Sequence, residues 1–585
     1  MSCKKITFGP VKKILAILIL FTQAATSQTV YEHISSTGIY LFLDEMANEK
    51  IIILNTAIKP YSRILISANL KKIATQKDKL NKRQQADLSL YLREFYIEFQ
   101  TDSAGRDLHL SEASAVLHQK SQPYKPFYRK NEHTLSLLPI AYSYCSQPFS
   151  LNFKPIGGIH ASTNSSGNMY ERYVGASFFT YGLGHIGIYG NYRDAYQAND
   201  VLALPTYLTQ SPGANYKLNE GQRKGGDYSE MRGGITATWK WFSLELIKDH
   251  IAWGNNYNGS NILSGRTPSF AMVKMRAKPT KWFELNYFHG WLVSEVIDSS
   301  RSYNPGGGKQ RTIYQDKYIA ANFITLGPIK GAALSFGNSI VYSDINVQPA
   351  YFIPFLFYKS VDHTLNHGID NQNSQIFFDL SIRSLKHVHL YSSLFIDEFS
   401  ITRIKDKDRY NFYSIKAGAR ITNWPIKNIS YTFEYTQSSP LTYKHRVESL
   451  TFETNRYNLG HYLGDNSKEY YASIGYKPLR GLSFNLSYTL AQKGIEHPYE
   501  VISGQPFLGD TYPLLDSIVW TNQQVEAKLT WEFAYNYSIS LGYIYSDVTS
   551  NNTSDHPSDY YLGRYTPTFL RGKNNTISLG LHCAF

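Results

Sequence analysis

The sequence predicts a transmembrane β-barrel of about 18 antiparallel strands preceded by a small α-helical domain. Three observations carry that prediction. The hydrophobic period changes from helical to strict alternation near residue 150. The connections between alternating segments are short and long by turns, as in bacterial barrels with short periplasmic turns and long extracellular loops. The chain opens like an exported protein, and no later run reaches the roughly 20 apolar residues that a membrane helix needs.

The opening carries Lys4, Lys5, Lys12 and Lys13, an apolar run from Ile14 to Phe21, and then Ala24, Ala25, Thr26 and Ser27. This order predicts a secretory signal peptide over residues 1–27, cleaved near Ser27. Cys3 precedes the apolar run and is therefore not a lipoprotein anchor. Residues 28–130 read as a helical domain placed in the periplasm. Ile39, Phe42, Leu43 and Met46 share one helical face, as do Leu88, Tyr91, Leu92, Phe95 and Phe99. Pro60 is expected to open the middle helix, since proline is tolerated in a first turn. A short strand is expected over 51–54. No catalytic constellation is visible there, and a packing or docking role is expected.

The barrel is expected over 131–585. Leu482, Phe484, Leu486, Tyr488 and Leu490 alternate with polar residues, as do Val525, Ala527, Leu529, Trp531 and Phe533. The last strand places Ile577, Leu579, Leu581, Cys583 and Phe585 on one face, and its final Phe resembles the assembly signal of outer-membrane barrels. An apolar outer face and a polar lumen face require this pattern. It also explains a mean hydropathy of only −0.34. The 47 Tyr and 31 Phe suit aromatic girdles at the two membrane interfaces. Counting back from the end, long loops are expected at 547–573, 491–522, 436–467, 399–410, 344–373 and 252–269. Short turns are expected near 534–536, 476–481, 423–427, 386–387, 327–330 and 278–281. An even strand number puts both ends of the barrel in the periplasm and its long loops outside the cell.

Formal charge is +13, or 13 − 4 = +9 without the four early lysines. A basic exported protein suits lipopolysaccharide phosphates or an acidic glycan, and equally a plain solvated surface. Nothing points to nucleic acid. Cys3, Cys145 and Cys583 form neither a disulfide framework nor a metal-ligand spacing.

Several stretches resemble the Wzi-type capsule assembly family of outer-membrane proteins. They are the run from Ile39 to Ala47, the segment with Pro60 and Arg63, and Leu80 to Gln85. Within the barrel they are Lys248-Asp249, Trp253-Gly254, Leu263-Ser264, Gly337 to Tyr342, Tyr351 to Phe355, Asp397-Glu398-Phe399 and Leu463-Gly464. These matches span nearly the whole mature chain, and Asn338 departs from the acidic residue expected there. The resemblance implies a non-catalytic, lectin-like barrel that holds capsular polysaccharide or exopolysaccharide at the surface of a Gram-negative cell. It implies no cofactor. Contact with outer-membrane lipid, lipopolysaccharide and periplasmic export machinery follows from the same placement.

Glycan binding needs flat rings and orienting polar groups. Loop 252–269 offers Trp253, Asn255, Asn256, Tyr257, Asn258 and Arg266; the last loop offers Tyr560, Tyr561, Arg564, Tyr565 and Arg571. Arginine suits a carboxylate or phosphate. The plain alternative is loop packing, and Trp253-Gly254 reads equally well as structural. Asp397 and Glu398 are adjacent in a strand, point to opposite faces, and make a poor acid/base pair. His363 and His367 lack further zinc ligands, Asp370, Asn371 and Asn373 lack a calcium ligand set, and no metal site is expected. Ser264 with Asp249 and His250 is a conceivable catalytic set, recommended only by nearness in sequence. A diffusion porin or substrate-selective channel is the main alternative function, since a barrel of about 18 strands can hold water. Loop 344–373 is expected either to plug the lumen or to pack at the rim.

Overall fold

The computed structural model describes residues 28–101, 127–146, 149–219, 225–308, 310–344, 346–365, 369, 371–406, 408–499 and 509–584. The expected signal peptide, His367, Asp370 and Phe585 lie outside them. Eighteen antiparallel strands close into a barrel. In chain order they are β1 (Phe149–Asn164), β2 (Gly167–Gly182), β3 (Ile186–Ala198), β4 (Gly225–Thr238), β5 (Phe242–Asp249) and β6 (Phe270–Ala277). Then follow β7 (Phe283–Ile297), β8 (Tyr314–Leu326), β9 (Ala332–Ser343), β10 (Gln372–Ile382), β11 (Val388–Glu398) and β12 (Phe412–Thr422). The ring is completed by β13 (Ile429–Ser438), β14 (Ser467–Leu479), β15 (Leu482–Gly494), β16 (Ile518–Ala534), β17 (Tyr537–Ser550) and β18 (Gly572–Cys583).

The seam pairs β18 with β1, from Cys583↔Gly157 to Ile577↔Thr163. The first residues of β1 extend past β18 and pair instead with the strand Ile140–Ser146. That strand ends a three-stranded meander with Tyr128–Lys130 and His133–Leu137. Residues 535–536, 480–481, 423–428, 383–387, 327–331 and 278–282 turn the chain at one end. Residues 551–571, 495–517, 439–466, 399–411, 344–371 and 250–269 connect strands at the other. These are the turns and loops expected from the sequence. The first hairpin, turning at 165–166, is the short exception at the long-loop end.

The alternation sorts side chains as the sequence requires. Phe484, Leu486, Tyr488, Leu529, Trp531, Leu541, Ile577 and Leu579 face outwards and are exposed, as a lipid-facing band must be. Glu245, Lys274, Asn286, Asp379, Arg383, Lys416 and Glu434 face the lumen and are buried. Burying that much charge requires partners, and the N-terminal region supplies many of them.

Among the described residues, four helices precede the sheet: α1 (Thr37–Asn48), α2 (Arg63–Ala74), α3 (Lys82–Glu94) and α4 (Tyr96–Thr101). Their cores are the expected ones, with Phe42, Leu43, Met46, Leu88, Tyr91 and Phe95 buried. The middle helix does not open on Pro60. Ser62 caps it, accepting the Leu65 N–H at 3.2 Å, and Pro60 lies before the cap. The strand expected at 51–54 is absent; a two-residue strand lies at Ile58–Lys59 instead, because its partner is there.

That partner comes from inside the barrel. Loop 250–269 folds down the lumen, and its strand Ala252–Trp253 pairs with Ile58–Lys59, Ile58↔Trp253 and Lys59↔Ala252. Leu263–Ser264 completes a three-stranded sheet within the barrel. The helices sit in the short-turn mouth. Asn423 donates to Glu45 at 2.6 Å, Asn81 to Asn428 at 3.0 Å, and the His387 N–H to the Asn48 carbonyl at 2.8 Å. Tyr535 packs edge-on against Tyr91 and Phe95.

Among its described residues, loop 344–371 neither plugs the lumen nor stops at the rim. Phe323 faces the lumen against Trp253, so its neighbour Asn322 faces out. Asn322 donates to the Leu356 carbonyl at 2.8 Å, and Tyr358 N–H donates to Asn338 Oδ1 at 2.9 Å. The loop therefore lies against the outer wall, with Tyr351 and Tyr358 buried on Tyr287 and Tyr342. Asn338 also donates to Asn322 at 2.9 Å. A carboxylate there could only accept, which accounts for an amide at the position where an acid was expected.

Candidate functional site

The lumen contents are anchored by buried charge. Arg63 meets Glu98 at 2.6 Å, Glu32 at 2.7 Å and Glu94 at 3.4 Å, and Lys154 of β1 meets Glu94 at 2.6 Å. Its guanidinium lies between the rings of Phe95 and Phe179, 4.3 and 4.5 Å from their centroids. Asp44 of α1 meets Arg383 at 2.5 Å. Burial alone would raise the Asp44 carboxyl, but Arg383, with help from His389 and Arg420, outweighs it and holds the group down at about 2.

Most of the expected ligand residues in loop 252–269 are part of this packing. Trp253 is 0% exposed. Its ring stacks on Phe323 at 5.3 Å and meets Phe288 edge-on at 5.2 Å. Asn255 is buried and its N–H donates to Asp379 at 2.8 Å. Asn256 donates to the Gly254 carbonyl at 2.7 Å. Tyr257 donates to Asp44 at 2.8 Å, its N–H donates to Glu434 at 2.6 Å, and Asn258 donates to Glu469 at 2.8 Å. Asn255, Tyr257 and Asn258 spend these polar atoms on the wall and the helices, and Asn256 spends its own on the loop. A loop that enters the lumen presents its rings to the barrel, so these five residues do not form an outer face.

Asp249 accepts from Tyr189 at 2.7 Å and from Arg232 at 3.3 Å. Both ring nitrogens of His250 are engaged, by His33 at 3.1 Å and Glu230 at 3.2 Å. The Ser264 hydroxyl donates to the Leu459 carbonyl at 3.2 Å. The conceivable Ser264–Asp249–His250 set is therefore not assembled. Asp397 accepts the Tyr443 N–H at 2.7 Å, while Glu398 takes Arg403 at 2.8 Å and Tyr499 at 3.1 Å. The two carboxylates serve different loops, as their opposite facing implies.

At the long-loop end the connections enclose a cavity of about 490 Å³. Arg266, Lys444, Arg446, Arg456, Lys493 and Arg564 line it, with Glu448, Glu453, Asp465 and Glu496 as the acids. Tyr462, Tyr499 and Tyr565 supply rings. Four of the six cations are held in place by the contacts that follow. Asp465 takes Lys493 at 2.7 Å and Lys444 at 3.1 Å, and Glu496 takes Arg564 at 2.8 Å. Burial would raise the Asp465 carboxyl, but Lys444 and Lys493 keep it well below the usual carboxylate range. Arg266 donates to the carbonyls of Ser211 and Tyr207 at 3.2 and 3.1 Å. Cations outnumber acids among these side chains, and tyrosine faces stand among them. Such a set favours an anionic, ring-bearing guest.

Three of the expected ligand residues meet here: Arg266 from the descending loop, and Arg564 and Tyr565 from the last loop. Tyr560 stacks on His556 at 3.9 Å nearby, Tyr561 is buried beneath it, and Arg571 donates to the Thr566 and Gly563 carbonyls at 3.1 and 3.2 Å. Lys444, Arg446, Tyr462, Lys493 and Tyr499 escaped sequence reading. The run Lys444-His445-Arg446 within a long loop was the available signal.

No family model and no curated protein matches the chain. Among solved structures it is similar to OccAB4 of Acinetobacter baumannii, at 8% identity and a TM-score of 0.39 over 74% of this chain and 97% of that one. OpdK of Pseudomonas aeruginosa, crystallised with vanillate, aligns at 7% identity and 0.40 over 74% and 97%. Wzi of Escherichia coli, described as an outer-membrane, carbohydrate-binding β-barrel involved in group 1 capsule assembly, aligns at 11% identity and a TM-score of 0.50, over 96% of this chain and 100% of that one. The resemblance to Wzi seen in the short motifs thus extends to the architecture: this chain has the fold of an outer-membrane barrel, and over nearly its whole length it is the fold of Wzi.

Proposed function

We propose that this protein sits in the outer membrane, long loops outwards and helices in the periplasm, and binds and anchors an acidic surface polysaccharide without catalysing its chemistry. The observation that carries the reading is the cation- and tyrosine-lined cavity at the long-loop end, above a lumen filled by the chain itself. Carboxylate or phosphate groups on a polymer suit its arginines and lysines, and sugar rings suit its tyrosines. The fold shared with a carbohydrate-binding barrel supports the same reading. A diffusion porin needs a water-filled lumen, whereas here the N-terminal segment and loop 250–269 pair within it. Lipid and lipopolysaccharide are the expected surroundings of the exposed apolar band, and periplasmic export machinery is the partner open to the helices.

The test is a gene deletion in which surface polysaccharide is split into cell-attached and released fractions. Polymer shed at normal total yield supports anchoring. An unchanged attached fraction counts against it and moves the assignment to a channel.

A further inference from the structure

Where loop 250–269 leaves the wall, three side chains from two distant parts of the chain converge. His33 lies in the segment before α1, Asp249 ends β5, and His250 begins the loop. All are buried, and one ligand atom from each lies within 4.8 Å of the others. His33 Nε2 stands 3.1 Å from His250 Nδ1, and Asp249 Oδ1 stands 4.0 Å from that same nitrogen. Zinc bonds to imidazole nitrogen and carboxylate oxygen are about 2.0–2.2 Å, so ligand atoms of a tetrahedral site stand roughly 3.3 Å apart. The observed separations bracket that edge.

The outer partners point the same way. The other nitrogen of His33, Nδ1, is 2.6 Å from Ser35 Oγ and accepts the Ser35 N–H at 3.3 Å. The other nitrogen of His250, Nε2, meets Glu230 at 3.2 Å, and Glu230 also accepts the Ser269 N–H at 3.3 Å. Metal-binding histidines usually donate their non-ligating N–H to a carboxylate or similar acceptor. Glu230 is that partner for His250, and Ser35 Oγ is the acceptor within reach of His33 once its Nδ1 carries the proton. Here both rings are fixed with the remaining nitrogens turned towards each other. Arg232 at 3.3 Å and Tyr189 at 2.7 Å hold Asp249, and the arginine works against an added cation. Glu230 and Asp249 together offset it. A cavity of about 60 Å³ lined by His33, Tyr189, Asn191 and Arg232 adjoins the group. It has room for water as a fourth ligand, which needs roughly 10–15 Å³.

We propose that His33, Asp249 and His250 bind a divalent, borderline-soft cation such as Zn²⁺. Without it, one proton bridges the two facing imidazole nitrogens. Binding shifts the His33 proton by exchange with solvent from Nε2 to Nδ1, where it is donated to Ser35 Oγ, so that the lone pairs of both facing nitrogens go to the metal with no net change in protons. The ion pins the N-terminal segment to the wall at the root of the descending loop. This inference is independent of the polysaccharide reading.

The experiment uses the full chain purified in detergent, stripped with a chelator and titrated with Co²⁺ and Zn²⁺. We expect one metal per chain, the absorption of tetrahedral Co²⁺, and a rise in thermal midpoint with Zn²⁺ but not Mg²⁺. His33→Gln is expected to weaken binding at least a hundredfold while leaving the barrel's circular dichroism unchanged. Absence of stoichiometric binding, or wild-type affinity in both His33→Gln and His250→Gln, overturns the proposal. If the variants do not fold, the wild-type titration and its Zn²⁺-specific thermal shift decide alone.

Discussion

At Gly254 the backbone turns with φ +97°, and a Cβ built there would stand 2.7 Å from Ser260 Oγ. The Gly254 N–H donates to the Ala57 carbonyl at 2.8 Å, so the turn is where the loop meets the N-terminal segment. Gly254→Ala is expected to cost about 1–3 kcal/mol, read as a lower thermal midpoint in detergent. Asp44 gives a pH dependence. Its folded pKa of about 2 lies below the ordinary carboxylate value, so its contribution is present at neutral pH. That contribution amounts to about 2 kcal/mol, and it fades as pH falls from about 4 towards 2. Asp44→Asn is expected to remove that part of the acid dependence, as followed by denaturant midpoints between pH 7 and pH 2. In the cavity, Arg564→Glu is expected to weaken an acidic oligosaccharide about tenfold, which is about 1.4 kcal/mol, in isothermal titration. Arg564 and Tyr565 were legible because arginine and tyrosine clustered in a long loop. For Trp253 the sequence left a ligand role and a structural role both open, for a physical reason: loop length says where a loop starts, not whether it turns outwards or down the lumen.

Among the elements, strands and helices were the most legible. One face of each strand meets lipid and the other meets polar contents, so the period is strict. Helix cores followed from the spacing of Phe42, Leu43 and Met46, and of Leu88, Tyr91 and Phe95. The two-residue strand Ile58–Lys59 was not legible, because its pairing depends on Ala252–Trp253, almost two hundred residues away in sequence. Loop 344–371 was not legible either. Its aromatic residues suit a lumen plug and an outer-wall cover equally, and only Asn322 and Asn338 on the outward face decide between them. The helices and the descending loop together fill the barrel. Wild-type protein in planar bilayers is therefore expected to show no steady large conductance. Deleting residues 28–101 is expected to produce one, provided the barrel still assembles. A large open conductance in the wild type would refute the filled lumen.

Over the whole molecule, strand number, loop alternation and the even count were all readable from the chain, because closing a barrel leaves few free choices. What fills the barrel was not readable, since contacts such as Arg383 with Asp44 join residues with no local pattern between them. The ladder inside the barrel has a mechanical consequence. Under the proposed anchoring role, a polymer held in the cavity would be dragged by whatever flows past the cell, and Arg266 lies on the same loop as Trp253. Tension on that loop runs through the pairs Ile58↔Trp253 and Lys59↔Ala252 into the helices braced against the short turns. The load is thus shared around the whole ring, and a cable tied this way strains its anchor at the far side of the wall before it can peel a loop from the near side.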